Sequence, residues 1–122
     1  MNPPSASVLV VDDLPEVRTV LARVLSGSGR YAVAETESAL GAMQILVTDP
    51  PDAMILDISM PERSGLSVIS DAHSVAPDTK IVVMSSHEGM EQEVLAMGAH
   101  AFLPKTASPK LLLKTLAAVL AE

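Results

Sequence analysis

At 122 residues the chain is near the usual size of one domain and long enough to bury most of the surface its unfolded form exposes, so residues 1–122 are expected to form one domain. A composition that is 48% hydrophobic and 19% charged argues for a compact globule and against disorder. Eight basic residues against fifteen acidic ones leave a formal charge of −7, which opposes nonspecific binding to nucleic acid or to an anionic membrane, and neither is expected as a direct partner.

The first element is a short apolar run, Val8 to Val11, that ends on Asp12-Asp13. Pro15 suits a first helical turn, and Val17, Val20, Leu21, Val24 and Leu25 then place a stripe on one helical face. Gly27-Ser28-Gly29 breaks that helix before a second strand, Tyr31 to Ala34. Leu40, Met43 and Val47 repeat the helical spacing up to the turn Asp49-Pro50-Pro51-Asp52. A third apolar run, Ala53 to Leu56, ends on Asp57. After the turn signals of Pro61 to Gly65, a third helix carries Leu66, Ile69, His73 and Ala76. Beyond Pro77-Asp78, the fourth strand, Ile81 to Met84, ends on Ser85, and Met90, Val94 and Met97 mark a fourth helix closed by Gly98. Ala101 to Leu103 reads as the fifth strand, leading through Pro104 to Lys105. Ser108-Pro109 is a cap and first-turn pair for a last helix through Leu112, Leu116 and Val119.

Five strand-helix units in alternation predict an α/β fold around a parallel sheet. Most of the strand runs are apolar throughout rather than alternating, as expected when helices cover both faces. No stretch is long enough for an interdomain linker. Cysteine is absent, which excludes disulfides and thiolate metal sites. Met1 to Ser7 lacks the charged and apolar regions of a signal peptide, and no apolar run approaches the ~18 residues of a membrane span, so a cytoplasmic protein is expected.

The strand ends carry the chemistry. In a parallel α/β sheet the carboxyl ends of the strands converge on one edge, where ligands bind. Asp12, Asp13, Asp57, Ser85 and Lys105 all follow apolar strands and would meet there, giving three carboxylates, a hydroxyl and an ammonium. Crowded carboxylates raise one another's pKa unless a cation intervenes. Mg²⁺ suits them because it takes oxygen ligands and usually one or two carboxylates plus a phosphate, with Asp13 and Asp57 as direct ligands and Asp12 acting through water. Asp57 can also serve as a nucleophile that forms an aspartyl phosphate, provided that Ser85, Lys105 and the metal neutralise the phosphoryl oxygens. Each residue also has a plainer reading: Asp12-Asp13 as a helix cap, Ser85 as a strand-end hydroxyl bonded to backbone, Lys105 as a solvated surface charge. His73, His87 and His100 are too scattered for a histidine metal site, and the seven methionines are expected to fill the core.

Taken in order, Val10-Val11-Asp12-Asp13, Asp57-Ile58-Ser59-Met60-Pro61 with Gly65, Val83-Met84-Ser85-Ser86, Gly98-Ala99 and Phe102-Leu103-Pro104-Lys105 give the chain a resemblance to bacterial response-regulator receiver domains of two-component signalling, from the first strand through the last helix. The resemblance implies a flavodoxin-like (βα)5 doubly wound sheet of five parallel strands in the order 2-1-3-4-5. It also implies Mg²⁺-dependent transfer of a phosphoryl group to Asp57 from a sensor histidine kinase or a histidine phosphotransfer protein. By the same likeness the Ser59 carbonyl is a further metal ligand, Ser85 grips the phosphoryl group, and Phe102 is a switch aromatic. The implied output surface comprises the fourth helix, fifth strand and fifth helix, roughly Glu88 to Met97 and Ala101 to Ala121, read by an effector or by a second copy of the chain. Such a protein is a signalling module and not an enzyme acting on external substrates.

Two details depart from the commonest family pattern. Thr106 stands where a proline often follows the lysine, so a trans bond is expected after Lys105, because a cis bond before a non-proline residue costs about 3–4 kcal/mol. Ser85 replaces the more frequent threonine, which keeps the hydroxyl but loses a stiffening methyl group. Lys105-Thr106-Ala107-Ser108-Pro109 resembles receivers joined to helix-turn-helix output domains; a stand-alone regulator and a phosphorelay intermediate are the other options. Two other classes are weighed. A phosphatase of the haloacid-dehalogenase type needs an acid two residues after its nucleophile, where Ser59 stands. A flavodoxin needs a first loop rich in Ser, Thr and Gly, where Asp12-Asp13-Leu14-Pro15-Glu16 would repel phosphate.

Overall fold

The computed structural model describes residues 6–59, 65–87 and 89–122. Within them five strands alternate with five helices: β1 (Ala6–Val11), α1 (Pro15–Gly27), β2 (Tyr31–Thr36), α2 (Ala39–Thr48), β3 (Ala53–Asp57), α3 (Gly65–Val75), β4 (Lys80–Ser85), α4 (Glu91–Ala96), β5 (Ala101–Pro104) and α5 (Pro109–Leu120). Neighbouring strands are parallel and lie in the order β2-β1-β3-β4-β5, the flavodoxin-like arrangement expected. The Met60-Pro61 pair and the turn leading to Gly65 lie outside the described residues.

Successive side chains of a strand point to opposite faces, so each inner strand feeds two cores. Leu9, Val11, Met54, Leu56, Ile81 and Val83 join Ala39, Ala42 and Leu46 of α2 and Val68, Ile69 and Ala72 of α3 on one face. Val8, Val10, Ile55, Val82 and Met84 join Leu25 of α1 and Leu112, Leu116 and Val119 of α5 on the other. Helices therefore cover both faces, which is why β1, β3 and β4 are apolar without alternation. The edge strand β2 is the exception, with Ala32, Ala34 and Glu35 exposed. Met54 and Met84 are buried, and Met43, Met90 and Met97 pack against the first core, so the described methionines fill space as expected. No helix among the described residues is long and apolar enough to cross a membrane.

Several helical details differ from the sequence expectation. In α2 the expected stripe splits: Leu40 is 68% exposed and Val47 63%, Met43 is half-buried against the core, and Ala39, Ala42 and Leu46 are the buried positions. Nearly every residue of this helix is apolar, so periodicity alone selects no face. Small residues let it close on the sheet edge, where a Cβ at Gly41 would overlap the Thr36 side chain. Val20 of α1 and His73 of α3 are also exposed, the core positions of α3 falling to Val68, Ile69 and Ala72. The fourth helix is shorter than the expected Glu88 to Met97, because Gly89 has φ 86° and Gly98 φ 117°, left-handed conformations that bound a right-handed helix.

The α2 assignment makes a direct stability prediction. Leu46→Ala should lower the unfolding free energy by about 2–5 kcal/mol, the usual cost of emptying a buried leucine site. Leu40→Ala should change it by no more than about 0.5 kcal/mol. Urea denaturation followed by circular dichroism measures both, and equal losses would contradict the assigned face.

Candidate functional site

The sheet register assembles the site. Val11 pairs with Leu56, Leu56 with Val83, and Val83 with Phe102. One residue further, Asp12 stands beside Asp57, and Asp57 is itself the register partner of Met84, next to Ser85. Ser85 pairs with Pro104, and the Lys105 N–H donates to the Ser85 carbonyl at 3.0 Å. Residues far apart in the sequence, from Asp12 to Lys105, are thereby placed on one edge.

Asp12 and Asp57 are each 2% exposed, whereas Asp13 is half-buried at the rim. Lys105 Nζ donates to Asp57 Oδ2 at 3.0 Å and lies 3.5 Å from Asp12 Oδ2, so one ammonium bridges both buried carboxylates. The remaining oxygens also have partners: the Leu14 N–H donates to Asp12 Oδ1 at 3.0 Å, and the Ser59 N–H to Asp57 Oδ1 at 2.9 Å. The plain cap reading of Asp12 is thus partly right, since its carboxylate takes a backbone N–H just before α1, whose own N-cap residue, Leu14, offers no side-chain cap. Ser85 Oγ is buried and accepts from the His87 N–H at 3.0 Å, which leaves its own proton to donate. Lys105 is not the solvated surface charge of the plainer reading.

Gly65 is required where α3 starts. A Cβ there would lie 2.5 Å from Ile58 Cα and 3.0 Å from the Asp57 carbonyl oxygen, so only glycine lets the helix approach the strand end that carries Asp57. The Ser59 side chain is exposed, and its backbone N–H is already turned to Asp57. Phe102 is half-buried and packs against the α2/α3-side core. No cis peptide occurs among the described residues, so the Lys105-Thr106 bond is trans as expected.

One carboxylate oxygen from each of Asp12, Asp13 and Asp57 lies within 4.8 Å of the others, an all-oxygen cluster that could hold a metal ion. Burial raises the Asp12 pKa above its ordinary 3.8, with the Asp57 charge adding to the rise against the Leu14 N–H and Lys105. Burial alone would lower the Lys105 pKa, but its hydrogen bond to Asp57 and the charges of Asp57 and Asp12 outweigh that and hold it raised. A raised acid pKa means that the folded state binds the proton more tightly than the unfolded state. Asp12 therefore favours folding below its unfolded pKa, and that contribution is lost as pH rises through the folded value. Without divalent cations, Asp12→Asn should raise the melting temperature at pH 7, with the gain shrinking as pH falls towards 4. Thermal melts in EDTA at the two pH values check this, and a gain independent of pH would exclude Asp12 as its source.

Sequence reasoning passed over one group here. Arg18 Nη1 donates to the Asp12 carbonyl at 2.7 Å, and its Nε lies 3.5 Å from Glu35 Oε1 on β2. Its signal was a basic residue near the start of a helix, where the dipole disfavours a cation, six residues after Asp12. His100 Nδ1 accepts from the Ile81 N–H at 3.0 Å, a structural bond at the opposite end of β4 that lies outside the site. An apolar groove of about 350 Å³ between α1 and α5 reaches Lys105 and is lined by Val17, Val20, Leu21, Val24 and Leu112. A wider cleft of about 630 Å³ sits at the amino-terminal edge of the sheet beside Arg30, Lys80 and Glu122, and holds none of the converging groups.

Comparison with known proteins agrees with this geometry. The response regulator receiver domain model matches residues 8–117. The response regulator MprA of Mycobacterium ulcerans (strain Agy99) is 35% identical over 118 residues, 95% of this chain and 50% of that protein. MprA of Mycobacterium avium (strain 104) is 35% identical over 115 residues, again covering 50% of its length, so the chain spans about half of these relatives. Among solved structures, a two-component response regulator of the LuxR family from Aurantimonas sp. SI85-9A1 superposes with a TM-score of 0.90 at 25% identity, covering 96% of this chain and 86% of that one. A response regulator protein from Burkholderia pseudomallei, solved with a phosphorylated aspartic acid, calcium ion and citrate, gives 0.84 at 26% identity over 94% of this chain and 68% of that one. With the order of its strands, the groups at their ends and a family match over most of its length all in accord, the chain belongs to the response-regulator receiver domain family.

Proposed function

We propose that residues 1–122 form one receiver domain operated by phosphorylation, with Asp57 as the acceptor. The observation that carries this reading is the convergence of Asp12, Asp13 and Asp57 with Lys105, whose ammonium already sits 3.0 Å from the Asp57 carboxylate. An Asp57 oxygen attacks phosphorus, the bond from phosphorus to the donor's histidine nitrogen breaks, and that nitrogen leaves with the electron pair. Lys105 and the Ser85 hydroxyl then meet the new phosphoryl oxygens from β5 and β4. Asp13, Asp57 and the Ser59 carbonyl would hold Mg²⁺ directly, with Asp12 acting through water. The metal would supply the charge neutralisation that three carboxylates and an incoming phosphate require. The phosphorylated aspartate and calcium ion in the Burkholderia relative support this assignment.

The donor is a sensor histidine kinase or histidine phosphotransfer protein in the cytoplasm. The apolar groove between α1 and α5, which reaches Lys105, is a suitable surface for it beside the acidic pocket. A phosphatase acting on external substrates is disfavoured, because Ser59 supplies no carboxyl acid two residues after Asp57. Output passes through α4, β5 and α5. Contacts from Ser85 and Lys105 to a phosphoryl group would draw in the loops after β4 and β5, and Phe102 would turn into the space released. A shift from 1:99 to 99:1 needs about 5.5 kcal/mol of differential binding, within reach of several charge-assisted bonds. Amide NMR shifts with and without the phosphate mimic beryllofluoride test this. Changes are expected in the Asp57 pocket and across α4, β5 and α5; changes confined to the pocket would refute the output face.

A further inference from the structure

We propose that Arg18 is a positioning residue for the metal-binding loop, one that fixes the direction in which Asp13 is presented. This rests on the Mg²⁺ site proposed above. Arg18 is the fourth residue of α1, and its side chain turns back to donate to the carbonyl of Asp12 at 2.7 Å. That carbonyl belongs to the peptide unit joining Asp12 to Asp13. Because the unit is planar, holding its oxygen also sets its N–H and the departure of the chain towards Asp13 Cα. On the other side of Asp12, its N–H donates to the Thr36 carbonyl at 3.2 Å, the last link of β1 to the edge strand. The Asp12 side chain is fixed by the Leu14 N–H. Arg18 thus completes a frame in which each polar group of Asp12 has a partner.

Arg18 is itself held. Its Nε lies 3.5 Å from Glu35 Oε1, and its side chain is only 17% exposed, so the guanidinium is pinned between α1, the β1 end and β2. A planar fork engaged at two nitrogens has a fixed orientation, which a lysine ammonium cannot reproduce. The arrangement is also costly in charge, since it sets a cation near the start of a helix and close to a metal site. These two consequences have opposite signs. If Arg18 acted only as a charge, it would repel Mg²⁺, and removing it would tighten binding. If it positions the loop, removing it weakens binding, as loss of a group that orients metal ligands generally does, by roughly ten- to a hundredfold.

The test is an amide-shift titration of the full chain with Mg²⁺ alone, with urea stability measured in parallel. Arg18→Met should bind Mg²⁺ roughly tenfold more weakly, Arg18→Lys should fall between it and wild type, and Glu35→Gln should lose about two- to threefold by loosening the guanidinium. Unchanged or tighter binding by Arg18→Met overturns the proposal, as does a loss of urea stability with Mg²⁺ affinity retained. Glu35→Gln keeps the Arg18 charge and sits on the exposed edge of β2, so it carries the test should Arg18→Met fail to fold; wild-type affinity there overturns the proposal. Asp13→Ala separates the two readings. If it loses Mg²⁺ while Arg18→Met does not, only the Arg18 role fails; if wild type binds no Mg²⁺, the metal site fails and the Arg18 role with it.

Discussion

Asp57→Asn is expected to abolish phosphoryl uptake altogether. Incubated with acetyl phosphate and Mg²⁺, the wild-type protein should gain the mass of one phosphoryl group, and the variant none. The strand order gives the reason for choosing Asp57 among three carboxylates. β3 is central and borders β4, which carries Ser85, with β5 and Lys105 next beyond it. Asp12 follows β1, which lies two strands from β4 and Ser85, and its Oδ2 is 3.5 Å from Lys105 Nζ against 3.0 Å for Asp57. A phosphoryl group on Asp57 would therefore meet a hydroxyl and an ammonium, whereas one on Asp12 would share that ammonium but stand a strand further from the hydroxyl. Asparagine retains an oxygen for the Ser59 N–H and removes a charge beside Asp12, so the fold should survive. Equal labelling of wild type and variant would sink the assignment, and transfer of the label to Asp13 would move the acceptor to the rim.

Much of this site was legible in the sequence because its residues lie just past buried apolar runs. A run such as Met54-Ile55-Leu56 can have no polar neighbour until the strand leaves the core, so Asp57 marks the edge by itself. Parallel register then does the remaining work. The α2 face was not legible for the opposite reason. Leu40, Met43 and Val47 have helical spacing, but so do Ala39, Ala42 and Leu46, and the close approach to Thr36 at Gly41 turns the second set, with Met43 beside it, towards the sheet. The start of α4 depended on the backbone sign at Gly89, which composition does not reveal. Arg18 was missed because its partner is a main-chain carbonyl, a group that every residue carries.

Lys105→Met should markedly lower the stability of the metal-free protein. Methionine matches the length of the lysine stem but leaves Asp12 and Asp57, each 2% exposed, without their shared cation. Removing one partner of a buried ion pair costs about 3–5 kcal/mol. Lys105 is 20% exposed, and water screens part of its charge, so a loss of about 2–3 kcal/mol is expected at pH 7. The sign with pH follows from the raised Lys105 pKa: its contribution is complete below the ordinary 10.5 and is lost as pH rises through the folded value. The variant should therefore match wild type more closely at strongly alkaline pH than at pH 7. Mg²⁺ should restore much of the loss, because it binds the folded carboxylates and stabilises by RT ln(1 + [Mg²⁺]/Kd), about 2.7 kcal/mol at a hundredfold excess over Kd. Urea midpoints at pH 7 with EDTA and with Mg²⁺ decide the matter. A variant as stable as wild type in EDTA would mean that water, rather than Lys105, neutralises the acidic pocket.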